Sequence, residues 1–221
     1  MEEEKTLKKM AEAFKELANT INQCPDGEEA RLELGPFSRA CSLVSPLFRC
    51  LGIAFKFAEL DYVAKVNDLV EASTSISVLP VMVDGDIEAD CVRRGGSHTR
   101  NLLRVKRGID MVKVLFEHII SSEGNSLKDP ASNAYAQVFA PYHGWAIRKA
   151  VAAGMYALPT KAQLLNKLNE DDLSSTLNTE YTQKEVYNLP RFLVTRSHLG
   201  GPLRSGHRMI DHSSLKGMGR V

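Results

Sequence analysis

The pattern that decides the fold lies at residues 97–119, which read SHTRNLLRVKRGIDMVKVLFEHI. Apolar side chains recur there at intervals of three and four, as they do on the broad face of a helix that packs against a core. Ser97 or Thr99 can cap the first turn with its hydroxyl oxygen. The stretch therefore predicts a helix over 97–121, the clearest in the chain.

Similar apolar spacing predicts further helices on both sides of this segment. No segment alternates apolar and polar residues convincingly as a strand would, and no internal repeat is visible. About seven helices in one domain with little sheet predict an all-α fold. The other predicted helices are 4–22, 36–51 with a bend at Pro46, 53–72, 75–92 with Pro80 near its middle, 131–157 interrupted at Pro141, and 161–168.

The composition excludes some classes of function. Lys and Arg number 28 against 27 Asp and Glu, so the whole chain has no field that would attract nucleic acid. No apolar run reaches the roughly 20 residues that span a bilayer. The acidic start at residues 1–4 does not resemble a signal peptide, so we expect a cytosolic protein. The four cysteines form no CxxC pair, which predicts reduced thiols, no metal site and no cofactor.

Two arginines on the predicted 97–121 helix share one face, because Arg100 and Arg104 are four residues apart. Lys106 and Arg107 follow, and no acid in this helix lies four residues from either arginine. Such a cluster beside apolar surface suits a bound phosphate, which the guanidinium fork can grip with two hydrogen bonds. The spacing alone leaves open a solvated basic face.

Asp61 and Lys65 repeat the four-residue spacing on another predicted helix. By itself this pattern is typical of a surface ion pair. His143 lies beside Pro141 and Trp145, where a kink is expected. A lone histidine in that setting is more often structural than ligand-binding.

Several long segments resemble the glycolipid transfer protein family when they are read in order. The likeness covers roughly residues 7–170 and is nearest to the plant accelerated-cell-death branch, which transfers ceramide-1-phosphate. The matching segments are FSRACSLVSPLFRCLGIAFKFAELDYVAKVNDLV (37–70), DIEADC (86–91), SHTRNLLRVKRGIDMVKVLFEHI (97–119) and YAQVFAPYHGWAIRKAVAAGMYALP (135–159).

The resemblance implies a two-layer, all-helical sandwich that encloses the lipid chains in an apolar pocket. It implies that Asp61 accepts the sphingoid amide N–H and that His143 donates to the amide carbonyl. Lys65, Arg100 and Arg104 would grip the head group. Glycolipid-selective relatives carry tryptophan where this chain has Arg104, so the resemblance favours phosphate over sugar. Three cations less one carboxylate leave a charge of +2, which balances a phosphate monoester of about −1.5 to −2.

The lipid chains would need an apolar lining, since each methylene moved out of water contributes about 0.8 kcal/mol. The candidates are apolar residues on the predicted helices, and each of them also suits plain core. They are Phe14, Leu43, Val44, Phe48, Phe55, Leu103, Val112, Phe116 and Phe139.

Beyond about residue 175 the resemblance stops. We therefore expect a transfer-protein-like domain at 1–175 and a divergent tail at 176–221. Proline and glycine are dense in the tail and apolar periodicity is weak, so we expect it to be largely disordered. His198, His207 and His212 are spaced too irregularly to predict a metal site.

The predicted function is non-enzymatic transfer of ceramide-1-phosphate or a related phosphosphingolipid between membranes, with transient contact at the membrane surface. We expect Tyr142 and Trp145 to make that contact, unless Trp145 is buried. A sensor that binds the same lipid and signals to unknown protein partners is the alternative. A lipid phosphatase or hydrolase using His143 and Asp61 is disfavoured because GxSxG and HExxH are absent. A nucleic-acid binder is the least favoured class.

Overall fold

The computed structural model describes residues 5–22 and 32–170, and the regular structure in these ranges is helical. The extended residues form only isolated bridges, Glu33 with Val78 and Ser126 with Thr160. Short 3₁₀ turns occupy Ile53–Phe55, Ala140–Tyr142 and Met155–Ala157. The helices are α1 (Thr6–Asn22), α2 (Leu34–Ser42), α3 (Ser45–Cys50), α4 (Lys56–Ala72), α5 (Leu79–Glu88), α6 (His98–Ser121), α7 (Lys128–Val138), α8 (Trp145–Gly154) and α9 (Lys161–Leu168).

Helix α6 confirms the strongest sequence prediction. Its cap is Ser97, whose Oγ accepts a hydrogen bond from the backbone N–H of Arg100 at 3.2 Å. The other cap candidate, Thr99, instead donates its backbone N–H to the Asp86 carboxylate, at 2.6 Å. Two side-chain acceptors therefore satisfy N–H groups in the first turn of α6, where the helix has no backbone acceptors of its own.

Three prolines differ from their predicted places. Pro46 and Pro80 lie in the first turns of α3 and α5, where we expected a bend and the middle of a helix. Pro130 lies in the first turn of α7, which begins at Lys128 although a loop was expected there. A first-turn residue needs no N–H for the helix ladder, so proline favours a start at these positions. Helix α5 therefore begins at Leu79 rather than at residue 75, and it ends at Glu88, before the predicted end at residue 92.

The predicted interruption near Pro141 is confirmed. Helix α7 ends at Val138, the 3₁₀ turn Ala140–Tyr142 follows, and α8 starts at Trp145. His143 adopts an extended backbone conformation between the turn and α8. The break therefore separates α7 from α8 and places His143 outside both helices.

Helix α6 lies at the centre of the packing. It contacts α4, α5 and α7, and α4 in turn contacts α2 and α3. Helix α1 packs on α2, and α9 packs on α3. The nine candidate lining residues are all partly or fully inside: Phe14, Val44, Phe48, Val112 and Phe116 are buried in the core, Leu43, Phe55 and Phe139 pack against it, and Leu103 is half-buried.

Helix α6 packs tightly against α4 at Gly108. A Cβ atom at this position would lie 2.6 Å from Cδ2 and Cε2 of Tyr62, well inside van der Waals contact. Tyr62 cannot easily move, because its ring packs on Phe48 and its hydroxyl donates to the carbonyl of Cys41 at 2.9 Å. The two helices can approach this closely only because residue 108 has no side chain.

The end of the described region is joined to its beginning. The backbone N–H of Leu7 in α1 donates to Oε1 of Glu170, at 2.9 Å. The predicted boundary at residue 175 and the tail 176–221 lie outside the described residues, so that division remains a prediction. In the ranges 5–22 and 32–170, no helix is long and apolar enough to cross a bilayer.

We expect Gly108→Ala to lower the free energy of unfolding by about 1–3 kcal/mol, because the added methyl group overpacks the buried Tyr62 ring. Gly85→Ala is the matched control, since no atom lies within 4 Å of a Cβ on Gly85 in α5. That variant should gain up to about 1 kcal/mol from helix propensity. Urea unfolding measures both, and equal stabilisation of the two variants would contradict the close α4–α6 contact.

Candidate functional site

Three of the five predicted site residues meet where α4 crosses α6. Nζ of Lys65 lies 3.1 Å from Oδ1 of Asp61, as their four-residue spacing predicted. Nη1 of Arg104 approaches the same oxygen from α6, at 3.5 Å. A single carboxylate therefore holds two cations from two helices, and this cross-helix pairing was not visible in either helix alone.

These charges face solvent rather than the core. The side chain of Asp61 is 55% exposed and that of Arg104 is 42% exposed, whereas Lys65 is 21% exposed. Exposed ion pairs contribute little to stability, since water solvates the separated charges almost as well. The group therefore carries a surplus positive charge that an incoming anion can reach.

Arg100 lies one helical turn before Arg104, but its guanidinium contacts a different part of the chain. Its Nη1 lies 3.4 Å from the backbone carbonyl of Arg93, in the loop that precedes α6. The same guanidinium lies close to Gly95, where an added Cβ would be 3.6 Å from Nη1. The structure thus places Arg100 on the same helix as Arg104 but against the loop 93–96. Among the residues that the structure describes, Asp61 forms ion pairs with Lys65 and Arg104.

A second cross-helix pair lies beside this group. Nδ1 of His98 at the start of α6 lies 2.9 Å from Oδ2 of Asp68 in α4. From Asp61 to Asp68 the residue numbers rise along α4, whereas those of their partners fall from Arg104 to His98 along α6. Helices α4 and α6 therefore run antiparallel here. Sequence reasoning missed this pair because the two residues become neighbours only after the helices have been paired.

His143 contacts two aromatic side chains, Tyr135 on α7 and Phe139 directly after it. Its Nδ1 lies 2.9 Å from the hydroxyl oxygen of Tyr135, and its ring stacks on Phe139 with centroids 5.6 Å apart. Burial lowers the pKa of His143, and the charges of Arg104 and Arg107 lower it further. The imidazole is therefore neutral near pH 7. The charge of Arg104 thus acts on Asp61 through an ion pair and on His143 through its pKa.

An exposed apolar rim lies on α8, on the 3₁₀ turn that it contacts and on the first turn of α4. We use the term for Ile53, Phe57, Trp145 and Ile147, which are 85%, 86%, 70% and 50% exposed. Helix α8 contacts the 3₁₀ turn Ile53–Phe55, and Phe57 follows that turn. Trp145 is therefore at the surface, and the alternative that it is buried was wrong.

Tyr142 is the last residue of the 3₁₀ turn Ala140–Tyr142, directly before His143, and is half-exposed. The guanidinium carbon of Arg107 lies 3.9 Å from the centre of its ring. This cation–π contact joins α6 to the segment before α8. It brings a further positive charge to the region between His143 and the apolar rim.

The described cysteines carry free thiols, as predicted. Cys41 is buried, and burial raises the pKa of its thiol well above the ordinary range. Cys50 and Cys91 are partly exposed, while Cys24 lies outside the described residues. Within the described ranges, no group of three His, Cys, Asp or Glu side chains could hold a metal ion.

The family model for the glycolipid transfer protein (GLTP) matches residues 32–170, which include α2 to α9 and all five predicted site residues. The chain belongs to the glycolipid transfer protein family. It is 68% identical over 180 residues to Accelerated cell death 11 of Arabidopsis thaliana, covering 81% of this chain and 85% of that relative. It is 31% identical over 165 residues to a ceramide-1-phosphate transfer protein of Danio rerio, covering 67% and 78%.

Solved structures agree with this membership. A crystal structure of an Arabidopsis accelerated-cell-death 11 variant with C12 ceramide-1-phosphate superposes with a TM-score of 0.83 at 60% identity, covering 90% of this chain and 98% of that one. Human ceramide-1-phosphate transfer protein with its 12:0 lipid superposes at 0.71 with 22% identity, covering 87% and 96%, and supports the fold alone. The all-helical fold of the glycolipid transfer protein type is thereby confirmed.

A buried carboxylate lies two residues before Asp61 in the transfer-protein fold and serves as a contrast to it. Glu59 is buried and accepts from Nζ of Lys56 at 2.9 Å and from Nε of Arg49 at 3.3 Å. The hydrogen bond from Lys56 is the main cause that lowers the pKa of Glu59, and Arg49 adds to it. This ion-pair network joins α3 to α4. It is separate from the exposed charges of Asp61, Lys65 and Arg104.

Asp61→Ala should change the free energy of unfolding by less than about 1 kcal/mol, because its ion pairs are exposed. Glu59→Ala should cost about 1–2 kcal/mol, since it removes a buried acceptor of two charged donors. Urea unfolding at pH 7 compares the two. If Asp61→Ala lowered the free energy of unfolding more than Glu59→Ala, Asp61 would be needed for the fold. That result would contradict the assignment of Asp61 to binding alone.

Proposed function

We propose that this protein carries ceramide-1-phosphate between membranes without changing it chemically, and that Asp61, Lys65, Arg100, Arg104 and His143 bind the head group and amide. The observation that carries the proposal is the pairing of Arg104 on α6 with Asp61 on α4. It assembles a phosphate-binding cation and an amide acceptor in one exposed group. Membership of the glycolipid transfer protein family and the lipid named for its relatives support the choice of ligand.

Charge favours a phosphate at this site. Lys65 and Arg104 share the single carboxylate of Asp61, and Arg100 lies one turn away on the same helix. A phosphate monoester of about −1.5 to −2 charges can accept several charge-assisted hydrogen bonds from these groups. A neutral sugar would add no opposite charge to the group.

The amide of the sphingolipid requires one acceptor and one donor. The Asp61 carboxylate is an acceptor when ionised. His143 is neutral near pH 7, because burial and the nearby arginines lower its pKa, so one of its ring nitrogens carries a proton to donate. In this proposal Asp61 is the acceptor and His143 the donor for the lipid amide.

The hydrocarbon chains require apolar surroundings, since a ceramide exposes on the order of 30 methylenes worth about 0.8 kcal/mol each. The apolar side chains of α1, α2, α3, α6 and α7 form one continuous core. We propose that the lipid chains enter between these helices. Because the lipid leaves one apolar phase for another, the net free energy is small and exchange is reversible.

Arg104→Ala and Asp61→Ala should each reduce transfer of fluorescent ceramide-1-phosphate between vesicles by about tenfold or more, the loss expected for a charge-assisted hydrogen bond. Transfer of glucosylceramide by the unmutated protein should be far slower. Lys113→Ala is the matched control, because Lys113 is a cation on the same helix that pairs with Glu117. Its transfer rate should remain close to that of the unmutated protein.

Other outcomes of this assay identify other functions. Equal transfer of both lipids would overturn the head-group assignment. Tight binding without exchange would support the lipid sensor instead of the carrier. Accumulation of dephosphorylated or hydrolysed lipid, detected by mass analysis, would show an enzyme and refute the carrier.

We also propose that the apolar rim inserts into the membrane surface during exchange. Trp145 is the only tryptophan of the chain, so its fluorescence reports on one position. Vesicles containing anionic lipid should shift its emission to shorter wavelength, as an indole moves into the interface. An emission spectrum that does not move on addition of such vesicles would contradict docking through α8.

A further inference from the structure

Tyr135 is the polar neighbour of His143, although no sequence pattern singled it out. Tyr135 lies on α7, eight residues before His143, and the 3₁₀ turn Ala140–Tyr142 lies between them. The hydroxyl oxygen of Tyr135 is 2.9 Å from Nδ1 of His143. The two rings are tilted by 41° with centroids 5.7 Å apart, and Phe139 stacks on the same imidazole. The ring of His143 is therefore oriented by two aromatic contacts and one polar contact.

We propose that Tyr135 is a positioning residue: its hydroxyl donates to Nδ1 of His143, which places the ring proton on Nε2 and directs Nε2–H to the lipid amide carbonyl. The identity of that carbonyl rests on the proposed function. The assignment of the proton within the protein does not depend on it.

The direction of the hydrogen bond follows from the chemistry of the two groups. A neutral imidazole has one donor and one acceptor nitrogen, and a phenol can fill either role. A phenol is the stronger acid and an imidazole nitrogen the stronger base, so O–H···N is the favoured arrangement. With Nδ1 accepting, the remaining proton must lie on Nε2.

The surroundings keep both partners neutral. Burial raises the pKa of Tyr135, and the smaller opposite effect of Arg148 on α8 does not reverse this, so the phenol keeps its proton near pH 7. Burial lowers the pKa of His143, and Arg104 and Arg107 on α6 lower it further. Burial and the two arginines therefore disfavour the doubly protonated ring, which could not accept a hydrogen bond at Nδ1.

The direct test is ¹⁵N NMR of the histidine rings in the lipid-free full chain. The signal of His143 is assigned by its loss in His143→Gln. We expect the Nε2–H form in the unmutated protein at pH 7.5. Tyr135→Phe keeps the ring contacts but removes the donor, so it should give a mixture of the two neutral forms. It should also raise the pKa of His143, because a bond that stabilised the neutral ring is lost.

A binding measurement tests the consequence for the lipid. Tyr135→Phe should weaken binding of ceramide-1-phosphate by about three- to tenfold, the range expected for one lost hydrogen bond. In a His143→Gln background the same change should have no further effect. Tyr62→Phe is the matched control, since it also removes a buried hydroxyl but one that donates to Cys41. It should lower stability and leave the His143 signal unchanged.

Three results would overturn the proposal: an Nδ1–H ring in the unmutated protein, an unchanged ring form in Tyr135→Phe, or an equal loss of binding with and without His143. If the unmutated protein does not bind ceramide-1-phosphate, the proposed function fails. The NMR result in the lipid-free chain then still decides the role of Tyr135.

Discussion

The contact between Gly108 and the ring of Tyr62 governs the geometry on which the site depends. A Cβ at residue 108 would lie 2.6 Å from two ring carbons, so α4 and α6 approach each other more closely than two side chains would allow. Arg104 is one turn before Gly108 on α6, and Asp61 is next to Tyr62 on α4. The tight core contact therefore lies within one turn of the place where the carboxylate and the guanidinium meet at the surface, at 3.5 Å.

The charges of this region separate into two groups with different consequences. Glu59 is buried with two cationic donors and joins helices, whereas Asp61 and Arg104 are exposed and hold each other only weakly. A weak exposed pair costs little to rearrange when an anion arrives. This difference suits the proposed carrier, which would have to bind and release a lipid without disturbing the fold. His143 lies in a break between helices, where Tyr135 and Phe139 contact its ring.

Much of the fold could be predicted from local patterns, and the errors have local causes. The span of α6 and the extent of α9 agree closely with the predicted segments, because apolar periodicity and capping residues act within a single helix. The predictions for Pro46 and Pro80 were wrong because proline is compatible with both a bend and the first turn of a helix. Both prolines lie in first turns, the position that proline prefers. The pairs His98–Asp68 and Tyr135–His143 were missed, since neither partner has a distinctive spacing.

The sequence by itself determined the helical class, the family resemblance and the residue types available to bind a phosphate, because these depend on periodicity and on side-chain chemistry. Only the tertiary structure decided which of those residues meet. It joined Lys65 and Arg104 through Asp61, directed Arg100 to the carbonyl of Arg93, and exposed Trp145. The physical reason is that distances between helices depend on how their surfaces pack. A single glycine against a tyrosine ring sets that distance here, and no pattern within one helix reveals it.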